Sequence, residues 1–141
     1  MQTEFNQNED TPKKIPMHYF GHSFSDFSQI PLDLTRVEEI SPLFPTNFIN
    51  FRGLPNEMPF LNRIDITGQF KSISGLPTSL PELTSFTLLT ENILDNLSGF
   101  PQKVPKLSRI DIRGDYLTFL GLPLSLPNLE EYCLDQIGRA H

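Results

Sequence analysis

The chain has 141 residues, with 11 lysines and arginines against 17 aspartates and glutamates, and its formal net charge is −6. This length suits one domain, and the acidic balance argues against a nucleic-acid or anionic-membrane binder, because both need a basic surface. No apolar run reaches the roughly 18 residues of a membrane span, and the polar N-terminus lacks the apolar segment of a secretory signal. We therefore expect an intracellular, cytoplasmic protein that binds neither nucleic acid nor membrane.

The first 30 residues differ from the rest of the chain. Residues 1–16 are polar and have no apolar periodicity, so we expect a disordered tail there. Residues 17–30 have apolar side chains three positions apart and are predicted to form an N-terminal half-repeat that covers the first strand. These apolar residues are Phe24, Phe27 and Ile30.

Two features of the sequence resemble reactive or metal-binding groups, and neither predicts a site. His18, His22 and Asp26 have a spacing that would align metal ligands on one face of a helix. Gly21 interrupts such a helix and no fourth ligand is evident, so we interpret the histidines as surface residues of the half-repeat. Cys133 is the only cysteine, which excludes an internal disulfide. No neighbouring cation or helix terminus is evident that would activate it, so we expect an inert thiol, no metal and no cofactor.

A repeat occupies residues 31–141. The tripeptide Gly-Leu/Phe-Pro occurs four times, at spacings of 22, 24 and 22 residues. Its prolines, with a weaker copy before them, define five units: 31–54, 55–76, 77–100, 101–122 and the incomplete unit 123–141. Every unit has an apolar residue three, six and nine positions after the proline. A single unit cannot bury these residues but stacked units can, so the pattern predicts a solenoid.

The spacing inside a unit predicts its conformation. Four units contain an alternating apolar pair such as Ile64 and Ile66, and this i, i+2 spacing is that of a strand with both residues on one face. The rest of each unit keeps apolar residues three apart, which favours 3₁₀ turns or extended segments over α-helix. Residues 63–68 and 109–114 have similar sequences 46 positions apart, which indicates duplication of a block of two units.

The units resemble the leucine-rich repeat family, whose signature is L-x-x-L-x-L-x-x-N/C-x-L with a period of 20–29 residues. Its first six positions match in four units, which begin at Leu61, Leu83, Leu107 and Leu129. The resemblance implies an α/β-type solenoid with little helix, an arc of about five short parallel strands with 3₁₀ or extended convex segments. The chain departs from the signature at the ninth position, which is Pro45, Gln69, Glu91, Asp115 and Ile137. Pro42 also occupies a strand position, which predicts that the first strand lies at an edge.

The resemblance also implies that residues between the apolar positions project from a concave sheet in three rows. These rows are Glu39, Arg63, Ser85, Arg109 and Glu131; Ser41, Asp65, Thr87, Asp111 and Cys133; and Leu43, Thr67, Leu89, Arg113 and Asp135. Since arginine is frequent at binding hot spots, we predict a partner-binding surface. It consists of Arg63, Asp65, Ser85, Thr87, Arg109, Asp111 and Arg113. The alternative is a solvated face with ion pairs of little energetic value.

No catalytic constellation stands out in the sequence, so we do not expect an enzyme. We predict a non-catalytic interaction module that binds a protein partner on the strand face. The alternative is a structural, self-assembling repeat element, or a fragment of a longer repeat protein. It is based on the C-terminus, where no polar capping element follows the last strand, so an open edge within residues 129–141 would pair with another chain.

Overall fold

The computed structural model describes residues 11–21, 23–94, 97–116, 121–123 and 126–136. Parallel strands form one sheet in chain order: β1 (Glu39–Ile40), β2 (Arg63–Gly68), β3 (Ser85–Leu94), β4 (Arg109–Tyr116) and β5 (Glu131–Gln136). Helix in this part of the chain is limited to two 3₁₀ helices, Met17–Phe20 and Phe27–Gln29. The protein is therefore a parallel-strand β-solenoid with little helix, of about three turns.

The sequence predicts about five strands, whereas the structure has four of full length. β2 to β5 contain six to ten residues, but β1 contains only two. β1 ends at Ile40 because Pro42 follows at a strand position and has no N–H to donate to a neighbouring strand. The predicted position of this short strand is confirmed, since β1 is the first strand in the sheet order.

The core lies on one side of the sheet and in the turns that precede the strands. Residues alternate between buried and partly exposed along β2, and the predicted pair Ile64 and Ile66 is at most 1% exposed. Before each strand the chain makes a tight turn in which an amide donates to the carbonyl three residues earlier, such as Leu61 N to Met58 O at 3.3 Å. The three-residue apolar spacing thus corresponds to repeated tight turns, as the sequence predicts.

Phenylalanine rings inside the core make contacts within units and between them. The ring of Phe27 lies 4.8 Å from that of Phe48 and 6.1 Å from that of Phe51, measured between centroids. Phe86 lies 6.1 Å from Phe51 and 5.1 Å from Phe100. Each of these rings is at most 2% exposed. Phe86 and Phe100 lie in one unit, but the contacts of Phe51 with Phe27 and Phe86 join different segments of the repeat, so these segments share one core. The aromatic pairs add to the stability gained from burial.

The alternation between 22- and 24-residue units has a structural cause in β3. Leu89 aligns with Arg113 and Ile93 aligns with Asp115, so three residues of β3 face only Gly114 on β4. The two additional residues of β3 form a β-bulge, the usual way in which one strand accommodates an insertion relative to its neighbour. The bulge therefore accounts for the greater length of the unit that contains β3.

Buried threonines bind the backbone next to the ninth position of the signature, Thr46 one residue after it and Thr90 one residue before it. Thr90, in the bulge, is 1% exposed; its hydroxyl donates to the Phe70 carbonyl at 2.9 Å and accepts from the Asn92 amide at 3.2 Å. Thr46 makes the same two bonds in the first 24-residue unit, to the carbonyl of Thr67 and from the amide two residues after itself. These hydroxyls satisfy backbone groups that burial separates from water.

Glycine faces these threonine segments in the neighbouring 22-residue units. A Cβ atom at Gly114 would lie 2.8 Å from Cγ2 of Thr90, and one at Gly68 would lie 2.8 Å from the carbonyl oxygen of Phe48. Both distances are too short for a side chain. Units with a buried threonine therefore alternate with units that carry glycine at this place. The two glycines are 46 positions apart, as the predicted period requires, whereas the two threonines are 44 apart and both donate to unit 55–76.

The predicted disordered tail of residues 1–16 is too long. Lys14 forms a parallel bridge with Glu39, and the amide of Glu38 donates to the carbonyl of Lys13 at 2.8 Å. Ile15 is 5% exposed and belongs to the core. These residues are ordered because their backbone groups pair with the edge of the sheet and Ile15 is removed from water. The first ten residues lie outside the described part of the chain.

Candidate functional site

The strand register places the predicted site residues side by side. In the first row Arg63 aligns with Ser85, which in turn aligns with Arg109. The second and third rows follow the same register and contain Asp65, Thr87, Asp111 and Arg113. These seven positions alternate with buried ones, so their side chains project from the side of the sheet opposite the core. We call the seven residues the polar strand face.

The rows differ in how far they extend beyond the polar strand face. Glu39 and Glu131 align with the two arginines of the first row, as the sequence predicts. Ser41 and Leu43 lie beyond the end of β1, so they do not continue the second and third rows as predicted. Only the first row therefore spans all five strands.

Ion pairs lie on the two outer strands of the polar strand face, β2 and β4. Arg63 Nη2 lies 2.9 Å from Asp65 Oδ2, and both side chains are more than two-fifths exposed. Asp111 is different, because Arg113 Nε donates to its Oδ1 at 3.0 Å and Arg109 Nη2 lies 3.6 Å from its Oδ2. Its side chain is only 9% exposed, and the two arginines compensate the charge of this covered carboxylate. The exposed pair contributes little to stability.

Groups at the centre of the face have unused hydrogen-bonding capacity. Arg109 lies 3.6 Å from Asp111 and 3.8 Å from Glu131, which is beyond hydrogen-bonding distance. The hydroxyls of Ser85 and Thr87 are half-buried and have no hydrogen-bond partner among the described residues. Hydroxyls immediately before β3 and β4, by contrast, donate to backbone carbonyls. The centre of the face thus offers donors that the protein itself does not use.

A second exposed surface, which the sequence analysis missed, lies beside β1. Leu43 is 86% exposed and lines a cavity of about 150 Å³ together with Ile15, Met17 and Phe20. Phe44 is also exposed. The signal in the sequence is the pair Leu43-Phe44, which follows the point at which the strand pattern fails. Clustered apolar side chains of this kind are suited to nonpolar contacts.

Of the three residues whose spacing resembles that of metal ligands, Asp26 has a structural role. Asp26 caps the second 3₁₀ helix by accepting a hydrogen bond from the Ser28 amide at 2.9 Å. The ring of His18 lies 4.1 Å from the ring of the next residue, and His22 lies outside the described residues. Among the residues that the structure describes, no three His, Cys, Asp or Glu form a group that could hold a metal ion.

The C-terminal predictions are only partly covered by the structure. Cys133 lies in β5, aligned with Asp111, and β5 is the last strand of the sheet in the described residues. Residues 137–141, which belong to the predicted self-association segment, lie outside that part of the chain. In the described ranges, no helix has the length and apolar character required to cross a membrane.

Comparison with known proteins gives no relative. No protein-family model matches the chain, no curated protein matches it, and no solved structure matches it. The proposed function therefore depends on the fold and on the polar strand face.

Proposed function

We propose that this chain is a non-catalytic module, of the leucine-rich repeat type, that binds a protein partner on the polar strand face. The observation that carries the proposal is that seven side chains from three adjacent strands share one face, outside the buried core. Substitutions on such a face leave the core packing unchanged, so the surface can be adapted to a partner while the fold is kept.

The leucine-rich repeat interpretation is supported by the regular structure of the units. Each unit supplies one parallel strand and a tight turn precedes each strand. In the described parts of the connections between strands there is no helix, since both 3₁₀ helices precede β1. A fold by itself does not determine a function. The argument for binding is instead the low energetic value of the exposed ion pair on the face and the unused donors at its centre.

Affinity capture from a lysate of the source cells tests the proposal. Arg63→Gln with Arg109→Gln removes two positive charges from the polar strand face. Arg52→Gln with Lys103→Gln removes the same charge from exposed positions on the connections between strands, and is the matched control. Circular dichroism and thermal melting establish that all chains are folded.

The proposal predicts a protein that is identified by mass spectrometry with the native and control chains and is lost with the face variant. Purified partner and chain should then show the same difference in direct binding. A partner that the face variant captures as well as the native chain would contradict binding at this surface.

A second candidate function is self-assembly through the C-terminal end. It is favoured by the position of β5 at the end of the sheet in the described residues, because an unpaired strand edge is a template for another chain. Sedimentation velocity over a range of concentrations tests it. Assembly that persists in the Arg63→Gln/Arg109→Gln variant and disappears when residues 129–141 are deleted supports this candidate. A strict monomer at high concentration rejects it.

A further inference from the structure

The first row of the sheet has a symmetric order of charges. From β1 to β5 the row consists of Glu39, Arg63, Ser85, Arg109 and Glu131. The two arginines flank a neutral centre, and the two glutamates form the ends. Adjacent strands lie about 4.8 Å apart, so the arginines are separated by about 10 Å and the glutamates by about 19 Å.

The seven residues of the polar strand face carry a net charge of +1 although the whole chain carries a net charge of −6. Three arginines of the polar strand face stand against two aspartates, and one of these, Asp111, is shared between Arg109 and Arg113. Arg109 lies beyond hydrogen-bonding distance from its carboxylate neighbours. The hydroxyls of Ser85 and Thr87 also have no partner among the described residues. Because ionised acceptors make the strongest hydrogen bonds with such donors, a carboxylate is the group that this centre suits best.

We propose that the first row binds a helix of a protein partner, with two carboxylates about 10 Å apart and a basic residue outside each carboxylate. The proposal rests on the binding function proposed above and specifies the chemistry of the partner. A helix rises 1.5 Å per residue, so positions i, i+3, i+10 and i+14 lie at about 0, 4.5, 15 and 21 Å along one face. The row requires charges at about 0, 5, 14 and 19 Å. An extended strand fits the two central charges less well, because alternate side chains would hold the two carboxylates about 7 Å apart, whereas the arginines are about 10 Å apart.

Two synthetic helical peptides of identical composition test this charge order. The first has Lys, Glu, Glu and Lys at positions i, i+3, i+10 and i+14, and the second has Glu and Lys exchanged at those positions. Binding to the full chain is measured by fluorescence anisotropy at low ionic strength. We expect the first peptide to bind about tenfold more tightly, because the exchange turns four small attractions into repulsions. High salt should remove most of this difference, since the charges are exposed.

A chain variant with the charge order exchanged provides the reciprocal test. Glu39→Arg, Arg63→Glu, Arg109→Glu and Glu131→Arg together leave the net charge unchanged and should reverse the preference between the two peptides. If this variant is not folded, Arg63→Gln with Arg109→Gln replaces it and should reduce the preference at least threefold. The Arg52→Gln/Lys103→Gln control should keep the native preference.

Equal affinity of the native chain for both peptides, or an unchanged preference in the exchanged variant, would overturn the proposal. Concentration-dependent assembly that requires Arg63 and Arg109 would also overturn it, because a second copy of the chain would then occupy the row. These results are distinct from failure of the binding function itself. A cellular partner that is lost with Arg63→Gln/Arg109→Gln, while the peptides are not distinguished, would preserve the binding function and reject the acidic helix.

Discussion

Replacement of Thr90 by valine tests whether a buried hydroxyl stabilises the bulge of β3. The substitution keeps the branched shape of the side chain but removes the bond to the Phe70 carbonyl at 2.9 Å and the bond from the Asn92 amide at 3.2 Å. A hydrogen bond contributes about 1 kcal/mol net, and a buried group left without a partner costs about 1–3 kcal/mol. Thr90 is 1% exposed, so water does not replace the hydroxyl. We expect the free energy of unfolding to fall by about 2–3 kcal/mol.

Two further substitutions to valine calibrate this effect. Thr87 lies in the same strand, and its hydroxyl has no hydrogen-bond partner among the described residues. Thr87→Val should therefore change the free energy of unfolding by less than about 0.5 kcal/mol, since valine is also favoured in strands. Thr46→Val should lie between the two, because the carbonyl of Thr67 keeps the Thr46 amide as a donor at 2.8 Å.

Urea unfolding followed by far-ultraviolet circular dichroism measures these differences, since the chain contains no tryptophan. The slope of the free energy with urea must remain constant for the comparison to be valid, because units of a solenoid can unfold separately. If Thr90→Val is no more destabilising than Thr87→Val, the hydroxyl does not stabilise the bulge and our explanation of the 24-residue unit is wrong.

Three other predictions concern the backbone, the core and an exposed carboxyl. Gly75→Ala should lower the melting temperature far more than Gly21→Ala. Gly75 has a φ of 106°, and a Cβ atom there would lie 2.3 Å from the Phe51 carbonyl carbon. Equal melting temperatures of the two variants would contradict this. Phe51→Ala should reduce the free energy of unfolding by about 3–5 kcal/mol by leaving a cavity, and a loss below about 1 kcal/mol in urea unfolding would argue against tight packing. The hydroxyl of Thr35, followed by its amide, lowers the pKa of Asp33 by hydrogen bonding, so Thr35→Val should raise that pKa in an NMR titration. Because a lowered carboxyl pKa stabilises the fold only while the group is ionised, the contribution is lost as the pH falls through the folded-state pKa of Asp33; identical titration in the variant would refute the assignment.

Much of the fold could be predicted because the repeat samples the same local structure several times. The positions of Leu61 and Ile64 relative to the preceding proline recur in the other units, and both residues are fully buried. Arg63, Ser85 and Arg109 also occupy the same position in their units. They align because neighbouring strands pair position for position at this point. Burial and register could therefore be inferred from spacing alone.

Other features depend on contacts between units, which spacing does not contain. Ile15 has no periodic neighbours in the sequence, yet it is buried because the preceding residue, Lys14, pairs with β1. Asp111 occupies an outward position, but two arginines cover it. Thr90 is a polar residue just outside the apolar pattern, and only the bulge of β3 gives its hydroxyl two backbone partners.

An array built in this way can gain or lose length without repacking only in steps of two units. Loss of residues 55–76 alone would remove the carbonyls of Thr67 and Phe70, which now accept hydrogen bonds from the buried hydroxyls of Thr46 and Thr90. Loss of a 46-residue pair of units would instead place a 24-residue unit beside a 22-residue unit, as in the present chain. Recombination within such a gene would therefore yield folded products mainly when whole pairs are exchanged, which makes the pair the smallest heritable module of this architecture.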